Sequence, residues 1–128
     1  MTDRDIQRLV GLHPDFISKV GTILAELPMF VVEGLRTAER QHELWEQGRS
    51  KPGKIVTNCD GQTTHSPHQA KVDGYGHAAD LAFSPTDEFS SPFDLRHPWN
   101  QYGLLAESLH LVWGGRFRLR DYDHIELP

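Results

Sequence analysis

From Arg49 to Gly76 the chain runs through Gly, Pro, Ser, Thr and Asn with no sustained hydrophobic period, and this long aperiodic stretch limits the fold more than any other feature. Loops of that length are uncommon in compact domains unless they carry function. A second Pro- and Ser-rich loop covers 84–97. In a chain of 128 residues, the remainder suffices for one domain that buries about two-thirds of its unfolded surface. The expected architecture is α+β: a small antiparallel sheet with helices packed on one side and long loops that carry the site.

The periodic segments supply the elements. Asp3 is expected to cap a short helix with Ile6, Leu9 and Val10 inward, and Pro14 to open a second with Phe16, Ile17, Val20, Ile23, Leu24 and Leu27 at helical spacing, ended by Pro28. Met29 to Leu35 is an apolar, β-branched run that reads as a strand delivering Arg36 at its end. Thr37 caps a helix in which Gln41, Leu44 and Trp45 share a face, and Gly48 is a C-terminal stop. Ala78 to Phe83 reads as a strand with Ala78, Asp80 and Ala82 on one face and Ala79, Leu81 and Phe83 on the other. Pro98 opens a helix burying Trp99, Tyr102, Leu105, Ala106 and Leu109. Leu111 to Trp113, a Gly114-Gly115 turn and Tyr122 to Leu127 complete the sheet. Trp45, Trp99 and Trp113 all lie in apolar-periodic segments, so each is expected in the core.

Composition removes several functional classes. The one cysteine, Cys59, rules out an intramolecular disulfide and a cysteine-rich zinc knuckle, so a metal site must come from histidine, of which there are eight, and carboxylate. With no basic partner beside it, Cys59 reads as incidental. A net charge of −5 without a Lys/Arg cluster argues against nucleic acid. The start, Met1-Thr2-Asp3-Arg4-Asp5, is polar, and no run is long enough to span a bilayer. The expected species is a monomer, made in the cytosol without a signal peptide and without membrane insertion.

A histidine and an aspartate in the segment from Ser66-Pro67-His68 to His77-Ala78-Ala79-Asp80-Leu81, together with Asp121-Tyr122-Asp123-His124, have the look of a zinc site, with Asp121 three residues before the last histidine. Two imidazoles and one carboxylate leave a tetrahedral zinc ion a free position for water, which separates a catalytic site from a closed structural one. Asp121 could then act as the base.

Longer motifs carry a resemblance. The stretch Gly34-Leu35-Arg36-Thr37-Ala38-Glu39-Arg40-Gln41, followed by Gln47-Gly48-Arg49-Ser50-Lys51-Pro52-Gly53-Lys54-Ile55-Val56-Thr57-Asn58, resembles the zinc L-alanyl-D-glutamate peptidases of bacteriophage endolysins. These belong with the D-Ala-D-Ala carboxypeptidases in a superfamily that includes lysostaphin and hedgehog. Ser66-x-His68-Gln69 and Gly76-His77-Ala78-Ala79-Asp80-Leu81 resemble its metal motif, and Trp113-Gly114-Gly115 with Asp121-x-x-His124-x-Glu126-Leu127 its closing motif. The resemblance runs from about Leu9 to the last residue and implies one Zn2+ per chain held by His68, Asp80 and His124. It further implies Asp121 as catalytic acid/base and Arg36 as the positive group at the substrate, catalytic or substrate-binding, with a surface salt bridge as the alternative for Arg36. The implied reaction is hydrolysis of the peptidoglycan stem peptide at the L-Ala–D-Glu bond, by a phage or prophage lysis enzyme that reaches the wall after release through the membrane. The whole of 1–128 would be the catalytic domain, with no separate wall-binding domain. A D-Ala-D-Ala carboxypeptidase, or a zinc-bound domain that only binds, are the alternatives.

Two departures from the family pattern leave choices open. His68 stands further from Asp80 than the family's first histidine does, so Gln69–Asp73 reads as an insertion, and His65, in Gly61-Gln62-Thr63-Thr64-His65, is a rival ligand; His77 is another residue near Asp80. His68 is preferred because its Ser-x-His-Gln wording is closer. Asp123 stands where the family commonly has proline and competes with Asp121 for the base. If Tyr122–Leu127 is a strand, Asp123 faces away from His124 while Glu126 shares its side. Glu126 then either orients His124 or is a plain salt-bridge residue.

Overall fold

The computed structural model describes every residue from Met1 to Pro128. Its first helix, α1 (Asp3–Leu9), is capped by Thr2 rather than Asp3, through a capping box with Asp5. Being two turns long, it turns only the i, i+4 pair Asp5 and Leu9 inward. Ile6 and Val10, expected in the core, are exposed. Asp5 anchors the helix instead: Oδ1 accepts the Val31 amide at 2.8 Å, and Oδ2 accepts the Thr2 amide and hydroxyl at 2.9 Å each.

Helix α2 (Pro14–Glu26) starts at its proline and buries Phe16, Val20 and Ile23. Strand β1 (Met29–Glu33) follows and stops short of the expected Leu35, with a bulge between Val31 and Glu33. Thr37 caps α3 (Ala38–Glu46), accepting the Arg40 amide at 3.1 Å. Strand β2 spans Ala78–Phe83, and α4 Trp99–Ser108. Strand β3 (Val112–Trp113) runs into a 3-10 turn, Gly114–Arg116, before β4 (His124–Glu126). That last strand is shorter than the Tyr122–Leu127 expectation because Tyr122 and Asp123 lie in a turn, closed by the His124 amide donating to the Asp121 carbonyl at 3.2 Å.

The four strands form one antiparallel sheet in the order β1-β2-β4-β3. The alternation along β2 decides its use. Ala79, Leu81 and Phe83 join Phe16, Val20 and Ile23 of α2 and Trp99, Tyr102 and Ala106 of α4 in one core. Ala78, Asp80 and Ala82, on the other face, are also buried. Trp99 and Trp113 belong to the core, but Trp45 does not: it is half-buried, with the Arg49 guanidinium 4.6 Å from its ring centre. Helix α3 gives nothing to the apolar cluster, and its one buried residue is Gln41.

Burial opposes the charge on Asp5, yet its hydrogen bonds to Thr2 and Val31 outweigh that and hold the carboxyl below the usual carboxylate range. Replacing Asp5 by alanine leaves the Val31 and Thr2 amides without partners and should cost about 1–3 kcal/mol in urea unfolding at neutral pH. Because the folded pKa is depressed, this contribution is present above the unfolded value near 3.9 and is lost as the pH falls through the folded value. The stability gap between wild type and Asp5→Ala should therefore close in acid.

Candidate metal centre

His68, Asp80 and His124 arrive from the long loop, the middle of β2 and the start of β4, and the β2–β4 register sets Asp80 opposite His124. All three are buried. His68 Nε2 lies 3.2 Å from His124 Nδ1, and each nitrogen lies 3.3 Å from Asp80 Oδ1. Three donors on one face of a tetrahedron with bonds of ~2.0–2.1 Å would be about 3.3–3.4 Å apart. The observed triangle has that size.

The outward nitrogens fix which protons remain. His68 Nδ1 is 2.8 Å from the Gly34 carbonyl, and His124 Nε2 is 2.9 Å from Glu126 Oε1. Both oxygens can only accept, so each imidazole donates outward and turns its other nitrogen toward the centre. Asp80 Oδ1 has no hydrogen-bond partner although it is buried. Two nitrogen lone pairs and a carboxylate oxygen converging this closely call for a cation, and a His2Asp donor set suits zinc. Without one, a proton takes the place: burial opposes charge on His124, but the Asp80 and Glu126 carboxylates beside it overcome this and push its pKa up to about 10. Burial likewise opposes charge on Asp80, and His68 and His124 hold its carboxyl well below the usual range.

Arg36 supplies the third layer. Its Nη2 donates to Asp80 Oδ2 at 2.9 Å and to Glu33 Oε2 at 3.2 Å, Nη1 donates to Gln41 Oε1 at 3.1 Å, and Nε lies 3.1 Å from Glu33 Oε1. The pair with Asp80 is a buried one, in place of the surface bridge that was the alternative for this arginine. Gln41 passes the order on, donating to Thr57 Oγ1 at 3.2 Å and to the Cys59 carbonyl at 3.0 Å. His68 is braced by its own motif: its amide donates to Ser66 Oγ at 3.2 Å, and Gln69 ties the Ser66 amide to the Gly61 carbonyl. The Arg36 amide donates to the His68 carbonyl at 2.8 Å. Of the five residues that lengthen the His68–Asp80 interval, Gln69 stays buried and Ala70–Asp73 loop outward through Val72, which is fully exposed; the chain returns where the His77 amide meets the Pro67 carbonyl at 2.8 Å.

His65 is exposed, its Nε2 3.1 Å from the Gln62 carbonyl, and His77 pairs with Asp73 at 2.7 Å. Neither joins the buried triangle. Asp121 and Asp123 do border it: both place carboxylate oxygens within 4.8 Å of Asp80. Asp123 therefore does not face away, because the turn at 122–123 replaces the expected strand alternation. Asp121 Oδ2 stands 4.0 Å from His124 Nδ1 with its side chain about half exposed. Burial, the neighbouring Asp121 carboxylate and the charge of Asp80 push Asp123 up to about 9, so at neutral pH it keeps its proton. The turn itself hangs from the core: Tyr102 Oη donates to the Asp123 carbonyl at 2.9 Å, and Trp113 Nε1 to the Tyr122 carbonyl at 2.8 Å. Gly114 must be glycine, since a Cβ there would collide with the Asp121 carbonyl and the His124 side chain.

The triangle sits in a cleft of about 520 Å3 whose walls include Ile55, Val56, Thr57 and Asn58 from the long loop and Phe117, Leu119, Arg120 and Asp121 from the other side. Sequence reasoning missed Glu33 and Gln41. Gln41 carried a weak signal, a polar residue on a helix face shared with Leu44 and Trp45; Glu33 carried none, because its position depends on the β1 bulge.

No family profile matches the chain. It is 33% identical over 132 residues to the peptidoglycan L-alanyl-D-glutamate endopeptidase CwlK of Bacillus subtilis strain 168, across 96% of this chain and 74% of that protein. Among solved structures it superposes on the L-Ala D-Glu endopeptidase ChiX of Serratia marcescens with a TM-score of 0.66 and 25% identity, covering 100% of this chain and 89% of that one.

Zinc titration by calorimetry should give one equivalent for wild type and His65→Ala and none for His68→Ala. Glu126→Gln should keep the stoichiometry and lose about 10–100-fold in affinity. The metal-free centre holds a proton on His124 up to about pH 10, and a cation must displace it. Apparent affinity should thus rise about tenfold per pH unit between pH 7 and 9, with about one proton released per ion bound.

Proposed function

The chain belongs to the D-Ala-D-Ala-peptidase-like family that contains the peptidoglycan L-alanyl-D-glutamate endopeptidases, and from that membership we propose that it is a zinc-dependent peptidase cutting the L-Ala–D-Glu bond of the stem peptide. The single observation that carries the zinc dependence is the triangle of 3.2–3.3 Å edges with its orphaned carboxylate oxygen. Bound zinc would supply Lewis acidity, polarising the scissile carbonyl and making water acidic enough to be deprotonated near neutrality. The bond assignment is supported by the names of the two relatives, both of them L-Ala–D-Glu endopeptidases.

The chain's own residues have separate tasks in this reading. Asp121, half exposed and beside the triangle, takes the proton of the attacking water and returns it to the leaving amine. Asp123 lines the same wall beside Asp121, and its burial there favours the neutral acid, which would ease repulsion between two carboxylates. Arg36 acts through Asp80: its guanidinium is occupied by Asp80, Glu33 and Gln41, so it positions the ligand rather than grips substrate. The pair of acids at the wall favours catalysis over a domain that only binds. The Gly48-Arg49-Ser50-Lys51-Pro52-Gly53 wording also favours the L-Ala–D-Glu bond; a role in lysis by a phage or prophage is part of the proposal, and a holin gene beside this one would be expected. The wall would then be reached after passage through the membrane.

Purified muropeptides incubated with the zinc-loaded protein should yield new D-Glu amino termini by mass spectrometry; release of terminal D-Ala would move the reading to a carboxypeptidase, and no cleavage with zinc bound at one equivalent would end it. Asp121→Asn should lower kcat by about 10²–10⁴ while leaving zinc stoichiometry intact. If Asp123→Asn caused the larger loss, the two aspartates would exchange roles.

A further inference from the structure

Among the residues that line the cleft, Arg36 and Arg120 carry a permanent positive charge. Arg36 is committed to Asp80, Glu33 and Gln41. Arg120 is different: it is exposed, and its guanidinium makes no ion pair and no side-chain hydrogen bond, whereas Arg116 nearby is paired with Glu107 at 3.1 Å. It also stands where two cavities meet. Beyond the cleft lies a smaller pocket of about 170 Å3 walled by Phe93, Leu95, Trp99 and Tyr122, and Arg120, Asp121 and Asp123 line both.

The substrate chemistry supplies the missing partner. In an L-alanyl-D-glutamate bond the departing nitrogen is attached to the carbon that bears the glutamate α-carboxyl group. Where the peptide continues from the side-chain carboxyl, that α-carboxylate is free, one carbon from the nitrogen to be protonated. Asp121 and Asp123 line the space it would enter, so an anion arriving there needs a cation beside it. Arg120, next in sequence to Asp121, is the unengaged cation on that wall, and its planar fork matches a carboxylate with two parallel hydrogen bonds. We infer that Arg120 is the carboxylate anchor of the leaving-side subsite, selecting substrates whose departing residue carries a free α-carboxylate. The inference rests on the cleavage proposed above and adds to it the residue that reads the substrate.

The test uses two synthetic stem peptides that differ only at the D-glutamate α position, one a carboxylate and the other a carboxamide, with zinc-loaded wild type, R120Q and R120K. Arg120 is exposed and has no partners to lose, so melting temperature and zinc stoichiometry should not change. Wild type should prefer the carboxylate peptide by about tenfold or more in kcat/KM, through KM, as expected for loss of a charge-assisted pair. R120Q should reduce the carboxylate peptide to the level of the carboxamide peptide and leave the latter within about twofold of wild type, with R120K between, since its point charge lacks the fork. Equal cleavage of both peptides by wild type, or an equal loss on both in R120Q, overturns this inference alone. Failure of wild type to cut either peptide between L-Ala and D-Glu overturns the proposed reaction and this inference together.

Discussion

The guanidinium of Arg36 lies between two carboxylates that the sheet brings face to face. A bulge in β1 sets Glu33 opposite Asp80, and like charges across a strand pair repel. Arg36 turns that repulsion into a bridge, taking one oxygen of Asp80 and both of Glu33. Buried ion pairs gain little over an apolar replacement, but removing one partner strands the other charge at a cost of about 3–5 kcal/mol. The arrangement is therefore held as a unit. Its product is directional: with Oδ2 taken, Asp80 can offer only Oδ1 to the imidazoles.

Around this bridge the protein separates its apolar and polar halves along one strand. The Ala79, Leu81 and Phe83 face of β2 is embedded in the core, and that rigidity is transmitted to Asp80 on the other face. The same core reaches the far wall through two polar tips. Tyr102 and Trp113 bury their rings and donate to consecutive carbonyls of the turn that carries Asp121, Asp123 and His124. Side-chain geometry on a turn is usually loose; here the turn is suspended from two core aromatics and closed over a glycine that leaves no slack.

Much of this was legible in the sequence because it depends on short periods. The two-residue alternation of Ala78–Phe83 gave Asp80 its face, and the helical spacing of Phe16, Val20 and Ile23 gave α2 its buried side. The family's motifs named His68, Asp80, His124 and Asp121 as a group, and the structure brings those side chains together. What stayed hidden depends on pairing across the chain. The choice between His65 and His68 could not come from spacing, since an outward loop can absorb any number of residues. The orientation of Asp123 was misjudged by carrying strand alternation back through a turn. Ile6 and Val10 looked like core because a two-turn helix is too short for its apolar count to reveal its inward face, which a buried carboxylate occupies instead. Trp45 looked like core for its size, yet α3 lies off the apolar cluster and the ring packs beneath an arginine.

The excursion between His68 and Asp80 leaves and returns through neighbouring backbone positions, with the Pro67 carbonyl and His77 amide forming its neck at 2.8 Å. His68 and Gln69 lie just inside that neck but are tied to the framework by Ser66, Gly34 and Gly61, while the β2–β4 register sets Asp80. Length in the exposed Ala70–Gly74 part is thus mechanically decoupled from the centre. Relatives could add or delete residues there without retuning the donor triangle, and a short fused peptide inserted at Val72 would project into solvent from a fixed base, leaving the cleft as it is.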